Sequence, residues 1–237
     1  MKNVTPYLIA LFSSLCILGN GEESAETSEK AKRELAGWGT AVDPDDDCKF
    51  VLTEQALQIS VPGSAHPHDL AAEIHTTNAP RVLQPVQGDF TIQVEIDGRF
   101  APGGESTKEG RTGYNGAGLV AMLDPENVVT LARAVLQREG EEAVPYANFE
   151  IRIAGKLQRF GLTSDHPIPK EGPVFLRLER RGSKIFGAVS ADGITWDVLE
   201  PKEVPAAWPQ ELQTGVVAIS TSKEEFNPRF SKLKVLK

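Results

Sequence analysis

Cysteine is almost missing from this chain. Only Cys16 and Cys48 occur in 237 residues, and Cys16 lies in a stretch read below as an export signal. The single remaining thiol cannot form an intrachain disulfide, so stapled secreted scaffolds are excluded and the core alone must hold the fold. No base near Cys48 in sequence suggests a nucleophile, so a buried, inert thiol is expected. No apolar run reaches the ~20 residues that a spanning helix needs. No Lys/Arg block occurs and the formal charge is −8; such a chain is repelled by phosphate backbones, so nucleic acid is excluded as a partner. There is no Ser-His-Asp elbow, phosphate loop or dinucleotide fingerprint, which sets those enzyme classes aside. Neither strand–helix alternation nor a fixed-period repeat is present, which excludes a parallel sheet and a solenoid.

What is present is punctuation. With 21 Gly and 16 Pro, the chain has turn signals for many short strands. The N-terminus reads as a signal peptide over residues 1–21. Lys2 is followed by the apolar run Tyr7–Leu18 and the small residues Gly19-Asn20-Gly21. An uncleaved anchor is the alternative. Leu15 directly before Cys16 departs from a lipobox, so Cys16 is read as one more apolar residue of the signal. Export to the periplasm or outside the cell follows, with no membrane span after cleavage. Residues 22–36 read as a disordered or frayed linker, and 37–237 as a single domain, expected to be monomeric.

Within the domain, Asp43-Pro44-Asp45-Asp46-Asp47 places four carboxylates in five positions. Calcium takes oxygen ligands from such loops, with Asp43, Asp45 and Asp47 as candidates; a solvated acidic turn is the alternative. No other cofactor is expected. His66, His68 and His75 with Asp69 raise the possibility of zinc, but they read better as loop and strand-end residues. Phe90–Asp97 alternates cleanly, with Phe90, Ile92, Val94 and Ile96 on one side and Glu95 and Asp97 on the other. Its Glu95-Ile96-Asp97 resembles the start of a laminarinase-type acid motif, but the third acidic position holds Arg99 or Phe100, so a polar strand face is expected. Ala101–Thr112 reads as a Gly-rich loop, mobile or a rim element. Gly118–Leu123 and Val128–Val135 form a hairpin, with Arg133 on its polar side. Tyr146–Ile153 points Phe149 and Ile151 inward and Asn148, Glu150 and Arg152 outward. Residues 154–173 read as loop. Asp192-Gly193 reads as the turn of a hairpin over Leu178–Leu199, with Leu178, Phe186 and Trp196 on the core side. SADGITW at 190–196 is similar to an Asp-box turn, a folding element without chemistry. The fold class expected is all-β, an antiparallel sandwich of about twelve strands.

Several segments together resemble a secreted bacterial domain-of-unknown-function family with the concanavalin A-like lectin/glucanase jelly-roll fold. They are Trp38-Gly39 with DPDDDCKF at 43–50, NAPRVLQPVQGDF at 78–90, YNGAGLV at 114–120, PYANFEIR at 145–152, RLERRGSKIFGAVSADGITW at 177–196 and GVVAIS at 215–220. The resemblance implies a two-sheet jelly roll with a ligand site on its concave sheet, binding carbohydrate or another cell-envelope ligand without catalysis. Candidate ligand-binding residues are then Glu95, Tyr114, Arg133, Tyr146, Asn148, Glu150, Arg152, Arg177 and Glu179. A glycan-active hydrolase using concave-face carboxylates is one alternative. A structural or protein-interaction domain, whose charges merely pair across strands, is the other.

Overall fold

The computed structural model describes residues 33–63, 66–160, 168–205 and 208–236. The stretch expected to be a signal peptide, with Cys16, and the stretch expected to be linker up to residue 32 lie outside the described residues. Among the described residues, sixteen strands form two antiparallel sheets. The first runs in the order β1 (Arg33–Leu35), β2 (Gly39–Val42), β5 (Arg81–Gln87), β15 (Glu211–Ser220), β7 (Gly113–Asp124), β8 (Asn127–Gln137), β9 (Val144–Ile153) and β10 (Lys156–Phe160). The second runs β13 (Asp197–Val198), β12 (Lys184–Ser190), β11 (Val174–Arg181), β6 (Phe90–Asp97), β16 (Arg229–Leu236), β4 (Ala56–Ser60) and β3 (Lys49–Leu52), with β14 (Lys202–Glu203) beside β12. This is the two-sheet jelly-roll sandwich expected of the sequence. No helix among the described residues is long and apolar enough to cross a membrane.

Period-2 alternation builds the interior. Phe90, Ile92, Val94 and Ile96 of β6 and Leu176 and Leu178 of β11 meet Leu119 of β7, Leu131 of β8 and Phe149 and Ile151 of β9. The middle of the first sheet is buried on both faces, which is why GLVAML is apolar without alternation. Leu119 and Ala121 point inward, while Val120 and Met122 join Val128, Val217, Leu70 and Ala79 in a second cluster. The cover on that outer face is the crossover from β4 to β5, fastened where the His68 and Ser220 backbones exchange N–H···O bonds of 2.8 and 2.9 Å.

Four readings of the sequence are corrected. Strand β1 falls inside the stretch expected to be linker, with Leu35 buried in the core. Lys156–Phe160, expected as loop, pairs with β9. The hairpin of β11 and β12 turns at Gly182, whose φ is +57°, and not at Asp192-Gly193. Phe186 and Trp196 are consequently half-buried on the outer face of the second sheet, where Arg181 and Arg177 stack on them at 5.2 and 4.4 Å. The Asp-box likeness does hold as a folding element. Asp192 accepts hydrogen bonds from Ser190 Oγ and the backbone of Ile194 and Thr195, which draw its carboxyl down to about 2.

Phe149 is fully buried against both sheets. Phe149→Ala is expected to cost about 3–5 kcal/mol in urea denaturation, since it leaves a ring-sized cavity. Glu95→Ala, on the wet face of the second sheet, is expected to cost no more than about 1 kcal/mol.

Candidate functional site

The outer face of the first sheet carries a cleft of about 370 Å³, within the size range of small-ligand sites. Its floor is the outward side of β9, from Tyr146 through Asn148 and Glu150 to Arg152, with Tyr114 of β7 alongside. One wall is the covering crossover, with Asp69 and the short 3-10 turn Ala72–Ile74. The other is the Gly-rich loop after β6, which supplies Lys108 and Arg111. That loop is a fixed rim element: Thr107 N–H donates to the Thr221 carbonyl at 2.7 Å and the Lys108 ammonium to the Ile74 carbonyl at 3.4 Å.

Arg152 organises the floor. Its Nε and Nη2 donate to both oxygens of Glu73 at 2.9 and 3.2 Å, and its Nη1 donates to Glu150 at 3.0 Å. Arg152 and Glu150 are buried, so this charge-assisted array is rigid and shielded. Burial works against both ions of the Arg152–Glu73 pair. The pairing outweighs it, holding the Glu73 carboxyl below and the Arg152 guanidinium above their ordinary values. A second polar pair lies beside it, where Asn148 Nδ2 donates to the Tyr114 hydroxyl at 3.2 Å. Burial pushes the Tyr114 phenol well above its ordinary value, so it stays a neutral donor and acceptor. The Asn148 carbonyl oxygen is buried without a hydrogen-bond partner. Gly116 lets the tyrosine lie down over its own strand, because a Cβ there would stand 2.5 Å from the hydroxyl. Asp69 accepts the Leu70 N–H at 2.7 Å, and its burial pushes its carboxyl up to about 6 despite the nearby Arg152.

The structure thus brings together Tyr114, Tyr146, Asn148, Glu150 and Arg152 of the expected residues. The others lie elsewhere. Arg133 points into the sandwich, where it donates to the carbonyls of Gly172 and Lys170 at 2.6 and 3.0 Å and lies over Phe100 at 4.5 Å. It shares the inward parity of Val129 and Leu131 on β8. Glu95, Arg177 and Glu179 sit on the outer face of the second sheet. Glu95 pairs with Lys232 at 2.6 Å and Ser231 at 2.8 Å, Arg177 stacks on Trp196, and Glu179 pairs with Arg181 at 2.6 Å. Arg177 and Glu179 ring a smaller depression of about 240 Å³ there, away from the cleft. Asp69, Glu73, Lys108 and Arg111 were missed as site residues. Asp69 and the rim loop had been noticed in sequence, but Glu73 carries no local signal.

Of the carboxylates considered for calcium, Asp43 closes its own turn, accepting the N–H groups of Asp46 at 3.2 Å and Cys48 at 2.9 Å. Asp45 and Asp47 instead turn toward His66 and His68. Cys48 is half-buried, and burial with the neighbouring Asp43 and Asp47 pushes its thiol well above its ordinary range.

The raised carboxyl of Asp69 has a consequence for stability. Its value rises from 3.8 to about 6 on folding. Between those values the folded protein holds a proton that the unfolded chain has released, so this group's stabilisation is present below pH ~4 and lost as pH rises through ~6. Wild type should therefore lose stability relative to Asp69→Asn over that window in paired urea titrations. Parallel curves for the two proteins would contradict the assignment.

No family model matches the sequence, and no curated protein matches it. Solved structures do match. A functionally unknown protein from Saccharomyces cerevisiae aligns with a TM-score of 0.64 at 13% identity, covering 84% of this chain and 96% of that one. Xylan β-1,4-xylosidase from Bacillus halodurans C-125 gives 0.54 at 15% identity, covering 80% and 38%. Alginate lyase from Klebsiella pneumoniae gives 0.52 at 13% identity, covering 86% and 96%. The chain spans little more than a third of the xylosidase's length. At these identities the likeness is one of fold, and the chain is a two-sheet antiparallel jelly-roll β-sandwich.

Proposed function

We propose that this protein binds carbohydrate in the cleft of the first sheet without cleaving it. The observation that carries the reading is the fixed polar array on the cleft floor. Glu73–Arg152–Glu150 and Tyr114–Asn148 present rigid donors and acceptors beside the apolar surfaces of Tyr146, Ile219 and Leu157. A sugar ring has a rim of hydroxyls that both donate and accept, and a CH face that packs on apolar surface. A preorganised array of this kind loses little side-chain entropy on binding. The names of the xylosidase and the alginate lyase, both acting on polysaccharides, agree with such a ligand on this fold, though as analogy. Export from the cell, membership of the secreted bacterial family that the sequence motifs resemble, and a cell-envelope glycan as ligand belong to the same proposal.

A second reading, hydrolysis by cleft carboxylates, is favoured by one observation. Asp69 and Glu150 line the same cleft, as the two carboxyls of a glycoside hydrolase do, and burial pushes the Asp69 carboxyl up, the direction a general acid needs. Chromatography of oligosaccharides after long incubation separates the two readings, since binding alone leaves them intact.

A glycan array followed by calorimetry tests the proposal. Asn148→Ala and Arg111→Ala are each expected to weaken the best ligand at least ~10-fold, the size of one lost ligand hydrogen bond. Arg177→Ala and Glu179→Ala, on the other sheet, are expected to leave affinity unchanged. The opposite pattern, or no binding to any glycan by the folded protein, would overturn the proposal.

A further inference from the structure

Two crossovers between the sheets converge at one point. The acidic turn Asp43–Asp47 carries the chain from β2 of the first sheet to β3 of the second. The segment after β4 carries it back to β5 and brings His66 and His68. His68 Nε2 lies 2.9 Å from Asp47 Oδ1 and 4.0 Å from Asp45 Oδ2. His66 Nε2 lies 3.2 Å from Asp45 Oδ2 and 3.4 Å from Asp47 Oδ2. The two imidazoles face each other with ring centroids 4.8 Å apart.

These separations match a known geometry. Zinc holds nitrogen and oxygen ligands at about 2.0–2.1 Å in a tetrahedron, which places the donor atoms roughly 3.3–3.4 Å from one another. The imidazole-to-carboxylate spacings, from 2.9 to 4.0 Å, straddle that value, with Asp47 reaching His68 through Oδ1 and His66 through Oδ2. His68 supplies an independent sign. It is 1% exposed, its Nδ1 has no hydrogen-bond partner, and its Nε2 is aimed at the two carboxylates. A buried imidazole needs its polar atoms satisfied; Nε2, the engaged nitrogen of this ring, is committed to the cluster, while Nδ1 lies on the other side of the ring. The carboxylate oxygens nearest the imidazoles are themselves held by neighbouring side chains. Asn78 Nδ2 donates to Asp45 Oδ2 at 2.5 Å and to the Pro67 carbonyl at 2.8 Å, and the Cys48 thiol approaches Asp47 Oδ1 at 3.4 Å. Asp45, His66 and His68 form one set whose ligand atoms lie within 4.8 Å of each other, and Asp47, Cys48 and His68 form another.

We propose that Asp45, Asp47, His66 and His68 form a four-coordinate site for a divalent transition-metal ion of the zinc class. Two imidazoles and a nearby thiol suit zinc, whereas calcium takes six to eight oxygens. The ion replaces the repulsion between Asp45 and Asp47 with a shared cation, and it clamps both crossovers at one end of the sandwich.

The test is titration of chelator-treated protein with zinc chloride, read by calorimetry and thermal melting, with calcium chloride in parallel. One equivalent of zinc is expected to bind and to raise the melting temperature by several degrees, as a ligand bound only to the folded state must. Calcium is expected to do neither. Cobalt(II) in place of zinc should show the visible bands of tetrahedral coordination. His66→Ala and Asp45→Asn, both on accessible loop positions, should leave the metal-free melting temperature near wild type and abolish the zinc shift. This keeps the test informative even if His68→Ala fails to fold. Zinc that shifts nothing, a shift that survives His66→Ala, or an equal response to calcium would each overturn the proposal.

Discussion

The buried guanidinium of Arg152 is the interaction on which the cleft of the first sheet depends. It rises from the outward side of β9 and is claimed by Glu73 from the covering crossover and by Glu150 from its own strand. An Arg shielded in this way is tolerable only while its carboxylates stay in place. Removing one partner of such a group typically costs about 3–5 kcal/mol, because a charge is left behind without compensation. The pairing therefore does more than line a cleft. It fixes the 3-10 turn against the sheet, and with it the whole 66–79 segment.

That segment has three tasks. Leu70 and Ala79 seal the apolar outer surface of β7 and β15. Asp69 and Glu73 make one wall of the cleft. His66 and His68 reach the acidic turn between β2 and β3. Among the described residues, the second sheet has no such cover. Its outer face is a field of cross-strand pairs, Glu95 with Lys232, Glu179 with Arg181 and Arg177 on Trp196. Each pair of that kind is worth a few tenths of a kcal/mol to about 1 kcal/mol. The two outer faces thus differ in build: the first sheet carries a cleft walled by the crossover, the second a field of paired charges.

How much of this could be read from sequence follows from where alternation is clean. FTIQVEID and FEIRI each have one apolar and one polar face, so the inward positions of Ile92 and Phe149 and the outward positions of Glu150 and Arg152 were legible. VVTLARAV is apolar on both faces, because β8 is covered on both sides. Its period assigns no direction to Arg133, and polarity alone pointed the wrong way. The Asp-Gly signal at 192–193 misled because that turn folds locally through Asp192 and Ser190, while Gly182 makes the hairpin. The choice of sheet was invisible: Glu95 and Glu150 share the same local pattern, and only long-range pairing places them on different sheets. The meeting of Asp45 and Asp47 with His66 and His68 was hidden for the same reason. Each stretch read alone is an ordinary polar loop, and their proximity comes from two crossovers returning to one end of the sandwich.

The central claim is that the face organised by Arg152 is where a glycan sits. Backbone amide shifts of isotope-labelled protein, followed while xylan- and alginate-derived oligosaccharides are added in turn, test it most directly. The account predicts saturable shifts confined to the residues around Tyr114, Asn148, Glu150 and Thr221, with β6 and β11 unmoved. Shifts centred on Arg177 and Glu179 of the second sheet, or none with any oligosaccharide, would contradict it.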